Sequence, residues 1–222
     1  MIQFRKDPSL SEKHIPFGIA EVRYPDRSEW RIDEFRALAG HEIADLKSRY
    51  TDYDRKKTFS ENPYFRFFKK FKKTFPIVFQ FESLVIKGYP FPDYSPVIQV
   101  PFLVEVTKQV LSGTHDIEHI EGDVELYISK EKTPFPGLQG KDFHTYPGDY
   151  CGRDDAGIIF SEIAGPDERT CGRDDSRHVF YPIFGTPGMP AEKIQEGLDE
   201  ITRVVRVLAP TAEIETQIIC AE

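Results

Sequence analysis

Apolar positions along the chain fall into two rhythms. In the first half they recur every three or four residues, and in the second they come as short runs broken by turn residues. Residues 17–24, with Ile19, Val22 and Tyr24, read as a strand ended by Pro25-Asp26. Ser28 then serves as cap for a helix over about 29–49, whose Trp30, Ile32, Phe35, Leu38, Ile43 and Leu46 share one face, with Gly40 weakening its middle. Residues 51–62 are polar and read as a connection. Asn62-Pro63 opens PYFRFFKKFKKTF, a short helix expected to place Phe65, Phe68 and Phe71 on one side and Arg66, Lys69, Lys70, Lys72 and Lys73 largely on the other. Residues 76–88 form a densely apolar helix with Gly88 as its stop.

The chain is organised around residues 94–123, YSPVIQVPFLVEVTKQVLSGTHDIEHIEGD. Ser95 is placed to cap a helix and Pro96 suits its first position, where the missing N–H costs nothing. The residues that follow, up to Leu111, are apolar almost without a break, and a helix apolar nearly all round is buried. Gly113 reads as its stop, and His115, Asp116 and His119 occupy its polar exit. Strand-like runs then appear near 124–128, 143–150, 157–163 and 178–184. Turn signals such as Pro147-Gly148 and Gly165-Pro166 separate them. A helix over about 191–208 closes the pattern with Ile194, Leu198, Ile201, Val204, Val205 and Leu208 on one side. Helices first and strands second predict an α+β fold with a mixed or antiparallel sheet and a C-terminal helix. Residues 1–60 are expected to pack as a strand and helix on the unit formed by 61–222.

Charge adds a surface to this picture. Across 222 residues the net charge is −8, yet residues 1–75 carry a balance of +5 and the remainder −13. Such asymmetry marks a polyanion-binding face or simply a solvated surface of both signs. Arg66 and the four lysines at 69, 70, 72 and 73, interleaved with phenylalanines, suit an RNA backbone, with a docked helix whose lysines stay wet as the plain reading, and the two are compatible. No apolar run approaches the roughly 20 residues of a membrane span. Three cysteines and an opening without a secretory apolar core lead to the expectation of a reducing, cytoplasmic setting and no membrane partner.

Candidate chemistry is sparse. CGRDD occurs at residues 151–155 and again at 171–175. The spacing lacks a Cys-x-x-Cys ligand pair, and Gly with Asp is hairpin-turn chemistry, so turns are expected and no metal. Arg153 and Arg173 on those turns are free in sequence terms to meet an anion. There is no phosphate-binding glycine loop, no HExxH and no GxSxG, so no cofactor is expected. Nothing local favours Cys151, Cys171 or Cys220 as a nucleophile. The His115-Asp116 pair is the acid–base candidate, with a structural hydrogen bond at a helix end as the plain alternative.

HDIEHIEGDVELYIS, the Leu138-x-Gly140 turn and PGDYCGRDDAGIIFSEIAG together resemble the B3/B4 domain of the phenylalanyl-tRNA synthetase beta subunit, over about residues 65–184. Asp116, Ile120, Gly122, Gly140, Pro147, Asp149, Asp154, Gly157, Ile163 and Gly165 fall on that family's marks, and PVIQVPFL is similar to its central segment. The resemblance implies a three-layer α+β domain and a link to tRNA. In the family this domain hydrolyses the ester of mischarged tRNA. The family's His falls on Gly113 here, its editing Asn on Phe102 and its Glu on Pro182.

Two expectations follow. The first is an aminoacyl-tRNA hydrolase with a rebuilt pocket. In it His115 and Asp116 are the catalytic candidates, Gln99, Ser161 and Glu162 would bind the amino acid, and Lys69, Lys70, Lys72, Lys73, Arg153 and Arg173 would meet RNA. The second is a non-catalytic module for RNA, or for a free amino acid or related metabolite. Oligomeric state is left open by the sequence.

Overall fold

The computed structural model describes residues 2–11 and 15–219. In chain order the first half contains β1 (Phe4–Lys6), α1 (Pro8–Ser11), β2 (Phe17–Arg23), α2 (Ile32–Arg49), α3 (Arg55–Phe59), α4 (Pro63–Lys70), α5 (Pro76–Phe81) and α6 (Pro96–Lys108). The second half contains β3 (His115–Asp116), β4 (Val124–Ile128), β5 (Pro134–Gly137), β6 (Lys141–His144), β7 (Tyr150–Asp154), β8 (Gly157–Ser161), β9 (Gly165–Pro166), β10 (His178–Ile183), α7 (Ala191–Leu208) and β11 (Glu213–Ile219). The class is α+β, as the two rhythms of the sequence require. No helix among the described residues is long and apolar enough to cross a membrane.

Alternation along two neighbouring strands fixes the layers. One sheet runs β11-β2-β10-β3 and the other β1-β4-β7-β8-β9, with β5 and β6 as a separate hairpin. A Cβ on Gly18 of β2 would meet Ile194 of α7 at 2.5 Å, so the helix lies hard against that face. Gly197 of α7 sits against Ile183 of β10 in the same way, at 3.2 Å. Residues an odd number of positions away face the opposite side: Phe17 stacks on Phe160 of β8 at 5.9 Å, and Phe180 meets Phe4 of β1 edge-on at 5.3 Å. Successive strand residues point to opposite faces, so helices, four-stranded sheet and five-stranded sheet form three layers. His115 belongs to the seam between the two sheets, stacked on Phe180 at 4.8 Å and tilted against Phe160 at 5.5 Å.

Helix α6 is the buried element its composition predicts, with Val97, Val100, Leu103, Val104 and Val106 all fully buried. Pro101 inside it has no N–H for the Val97 carbonyl. The hydroxyl of Tyr181, on β10, donates to that carbonyl instead at 3.0 Å. With its one hydrogen so used, Tyr181 accepts from Tyr24 at 2.6 Å. Ser95 heads the helix through its carbonyl, which accepts from Ile98 and Gln99, while its hydroxyl has no partner. The helix stops at Lys108, with Gln109 in the left-handed region (φ 53°), and not at Gly113.

Several local expectations need correction. Asp26, not Ser28, does the capping: its carboxylate accepts from the Ser28 N–H at 2.9 Å and heads a short 3-10 turn, and α2 starts only at Ile32. Gly40 leaves α2 unbroken, because burial of Phe35, Ala39, Ile43 and Leu46 outweighs a local propensity cost of about 1 kcal/mol. In α4 the buried face is Tyr64, Phe67 and Phe68, while Phe65 and Phe71 are only partly covered. The stretch expected near 143–150 straddles the end of β6 and the start of β7. Helix α3 lies in the supposed connection, and β1 and β11 had no counterpart in the sequence reading.

Candidate functional site

Two adjoining chambers open around the segment that follows α6. The larger, of about 470 Å³, is walled by Ile98, Pro101, Phe102 and Glu105 of α6 and reaches Cys171. The smaller, of about 170 Å³, is lined by His115, Ser161, Glu162 and Phe184 among others. They share Ser112, Gly113 and Pro166. The path of the chain explains the meeting: after α6 it turns at Gln109, runs past Ser112, and enters β3 against β10. Ser112 is held from both sides, its N–H donating to Glu105 Oε1 at 3.0 Å and its hydroxyl to the Pro182 carbonyl at 2.6 Å.

His115 is buried, and burial pushes its pKa down to about 3, so the ring is neutral throughout the physiological range. Thr170 Oγ1 gives its single hydrogen to Asp167 Oδ1, and therefore accepts from His115 Nδ1 at 2.9 Å. That assignment leaves Nε2 as the unprotonated ring nitrogen. Asp116 does not join this chain. As the next residue of β3 it faces the other way, accepting from Ser176 Oγ at 2.6 Å and from the Glu118 N–H at 3.0 Å, where it caps a 3-10 turn. The expected His115-Asp116 couple is thus split, and Asp167 with Thr170 supports His115 instead.

The other expected ligand-binding residues separate in the same way. Ser161 and Glu162 line the smaller chamber with His115, whereas Gln99 lines neither chamber and donates to the Pro92 carbonyl at 2.7 Å, tying down the linker before α6. The Ser161 hydroxyl is committed to the turn: it donates to Asp149 Oδ2 at 2.5 Å and accepts from the Ala164 N–H at 2.8 Å. Burial lifts Asp149 to about 6. Glu162 is 4% exposed, and neither of its carboxyl oxygens has a hydrogen-bond partner. Burial, then the Asp149 charge, drives its pKa well above the carboxylate range. Glu105 is pushed up to about 8 by burial, against the opposing effect of its hydrogen bonds with Ser112 and Gln80. The sequence reading passed over Glu105, although a lone acid in the run VPFLVEV is a usable signal.

The remaining candidates are on the surface. Lys69 lies 4.5 Å above the Phe65 ring, Lys70 6.0 Å above Phe67 and Lys73 5.7 Å above Tyr146, and Lys72 takes a left-handed backbone (φ 57°). All four lysines are exposed. Arg153 is held by Glu125 through contacts of 2.6 and 2.7 Å, over the Tyr127 ring, and Arg173 donates to the Arg169 carbonyl beside His119. Both CGRDD copies sit at turns: Asp154 accepts from the Ala156 and Gly157 N–H groups of the β7–β8 hairpin, and Arg173 N–H donates to Ser176 in the second copy. Among the described residues no three His, Cys, Asp or Glu side chains gather as metal ligands would. Burial raises the Cys151 and Cys171 thiols, and neither is a thiolate at neutral pH. Cys220 lies outside the described residues.

No family model and no curated protein matches the chain. Among solved structures it is similar to an N-terminal fragment of the phenylalanyl-tRNA synthetase beta-subunit from Pyrococcus horikoshii, at 10% identity and a TM-score of 0.47. That match covers 96% of this chain and 50% of the fragment, so the chain spans about half its length.

Proposed function

We propose that the protein is a binding module that holds the aminoacyl end of a charged tRNA, or an amino-acid derivative like it, in the paired chambers. The observation that carries this is a convergence. The B3/B4 resemblance sets its editing Asn, His and Glu on Phe102, Gly113 and Pro182, three positions distant in sequence. Phe102 and Gly113 line the larger chamber, and Pro182 lies 3.8 Å from the Cβ position of Gly113 and accepts the Ser112 hydroxyl. The place is kept while its polar groups are replaced, with Glu105, Glu162 and His115 now supplying the polarity.

The chemistry of those replacements favours binding over turnover. A histidine whose pKa is about 3 is a weak general base at neutral pH. The Ser161 hydroxyl is committed, and the Cys171 thiol that borders the larger chamber stays protonated. Hydrolysis is the second reading, favoured by one arrangement: the Asp167-Thr170-His115 chain fixes Nε2 as an acceptor able to hold a water. The exposed lysines following Phe65 would meet the RNA backbone.

A panel of aminoacyl-tRNAs separates these readings. The expected result is saturable binding of at least one species, with its ester surviving as long bound as free. A bound ester that is lost faster, with the acceleration abolished in His115→Ala, would install the hydrolase. Absence of binding by every species would contradict both.

A further inference from the structure

We propose that β11 is a self-association edge, on which a second copy of this chain pairs antiparallel about a two-fold axis at Thr216. The pairing joins two four-stranded sheets into one of eight strands. This goes beyond the aminoacyl reading and does not depend on it. Among the described residues β11 is paired with β2 on one side and with no strand on the other. The remaining ends of the two large sheets are short: β1 has three residues, and β3 and β9 have two each. The β3 end is also covered, because His115 bridges Cys171 and the Asp116 N–H donates to the Thr170 carbonyl. By contrast β11 is seven residues long and keeps an unbroken register with β2, from Glu213 opposite Arg23 to Ile219 opposite Phe17. A long edge is normally blunted by Lys, Pro or a bulge. The strand EIETQII has none of them.

The strand is also complementary to itself. A two-fold axis perpendicular to the sheet keeps each face on its own side, so opposed residues must share a face. Ile214, Thr216 and Ile218 stand opposite Val22, Ala20 and Gly18, and the Gly18 face is the one that α7 covers. With the axis at Thr216 all seven residues pair. On the α7 side Ile214 then meets Ile218 of the other copy, and Thr216 meets its own equivalent. On the other side Glu215 meets Gln217 and Glu213 meets Ile219, so no acid opposes an acid. Moving the axis to Glu215 would set the two Glu215 carboxylates against each other. Moving it to Gln217 would leave Glu213 and Ile214 outside the ladder. In the single chain Ile214 and Ile218 pack on the core but are only half-buried, and the pairing covers the side that is left.

The order β3-β10-β2-β11 of one copy continues as β11-β2-β10-β3 in the other. The two β3 strands, with the chambers beside them, then lie at opposite outer edges, on the order of 30 Å apart at about 4.8 Å per strand. Neither copy closes the other's chambers.

Sedimentation equilibrium of the full chain from about 1 to about 200 µM tests this. A strand pair of this length is at the small end of specific interfaces, so the mass is expected to rise with concentration from 25.6 kDa to twice that value and stop there. Thr216→Lys, an exposed change that sets two ammonium groups at the axis, is expected to hold the chain as a monomer with its far-UV circular dichroism retained. Gln217→Lys is expected to tighten the dimer and Gln217→Glu to weaken it, each by about two- to thirtyfold, because each substitution acts at two cross-strand pairs. Under oxidation Thr216→Cys is expected to give a disulfide-linked dimer that the parent, oxidised in parallel, does not, since directly opposed strand residues lie about 4.5–5.5 Å apart. Should one of the two positions not tolerate substitution, the other decides. A mass that stays at 25.6 kDa throughout would overturn the proposal and leave the edge to a strand of another protein or to none. A mass that climbs past the dimer would overturn it too, as would a dimer indifferent both to Thr216→Lys and to the sign of the charge at position 217.

Discussion

Glu105 carries the clearest single-residue consequence of this architecture. Its carboxyl titrates near 8 in the fold, against an ordinary value of 4.5. Between those two values the folded chain holds a proton that the unfolded chain has lost. The stabilisation this gives is complete below about pH 4.5 and is lost as pH rises through 8, a change on the order of 5 kcal/mol. Glu105→Gln removes the titration and keeps an acceptor for the Ser112 N–H, so thermal unfolding from pH 6 to 9 is expected to show a flatter curve than the parent. Parallel curves would contradict this assignment. His115 acts with opposite sign, its depressed pKa withdrawing stability only as pH falls below about 6.5. At this scale the B3/B4 resemblance named His115, Asp116, Gln99, Ser161 and Glu162 together, and of these only His115, Ser161 and Glu162 line one chamber. It did not locate Asp167 or Thr170, whose role exists only after 55 residues of chain fold back between His115 and Thr170.

Helix α6 shows how an element tolerates a residue that should break it. The Val97 carbonyl left open by Pro101 is satisfied from outside the helix, by Tyr181. Tyr181→Phe is expected to cost about 1–3 kcal/mol, since it strands a buried carbonyl. Pro101→Ala returns an N–H to that carbonyl, so Tyr181→Phe made in its background is expected to cost less. Chemical unfolding of the two single variants and the double variant measures the coupling, and simple additivity would refute this role for the hydroxyl. The long helices and the strands with dense β-branched runs were legible because their periodicity comes from a single buried face. The face of α4 was misread because Asn62 fixes its start and the Tyr64 hydroxyl, donating to the Phe184 carbonyl, draws that side inward. Strand β11 was missed although Ile214, Thr216 and Ile218 alternate with polar residues. It lies at the sheet edge against β2, where burial is partial and the signal is weak.

Across the whole molecule, three layers bring residues from α6, β3, β8 and β9 to one pair of chambers, with a basic helix end elsewhere on the surface. Lys69, Lys70 and Lys73 sit over aromatic rings, whereas Arg153 is neutralised by Glu125. Replacing these three lysines and Lys72 with glutamine is expected to weaken tRNA binding. The salt slope of the affinity should fall by about 0.7–0.9 for each phosphate that is no longer neutralised. The same change at Arg153 is expected to leave that slope unaltered. The central claim is that the chambers receive the aminoacyl group. It is tested most directly by comparing the affinity of uncharged tRNA with that of the same tRNA carrying its amino acid through a non-hydrolysable 3′-amide. Gly113→Leu serves as the blocking variant, since Gly113 has an ordinary backbone conformation and its Cβ position has no neighbour nearer than 3.8 Å. The account predicts tighter binding of the charged form, by at least about tenfold, and loss of that difference in Gly113→Leu. Equal affinity for the two forms, or a preference that Gly113→Leu leaves intact, would contradict it.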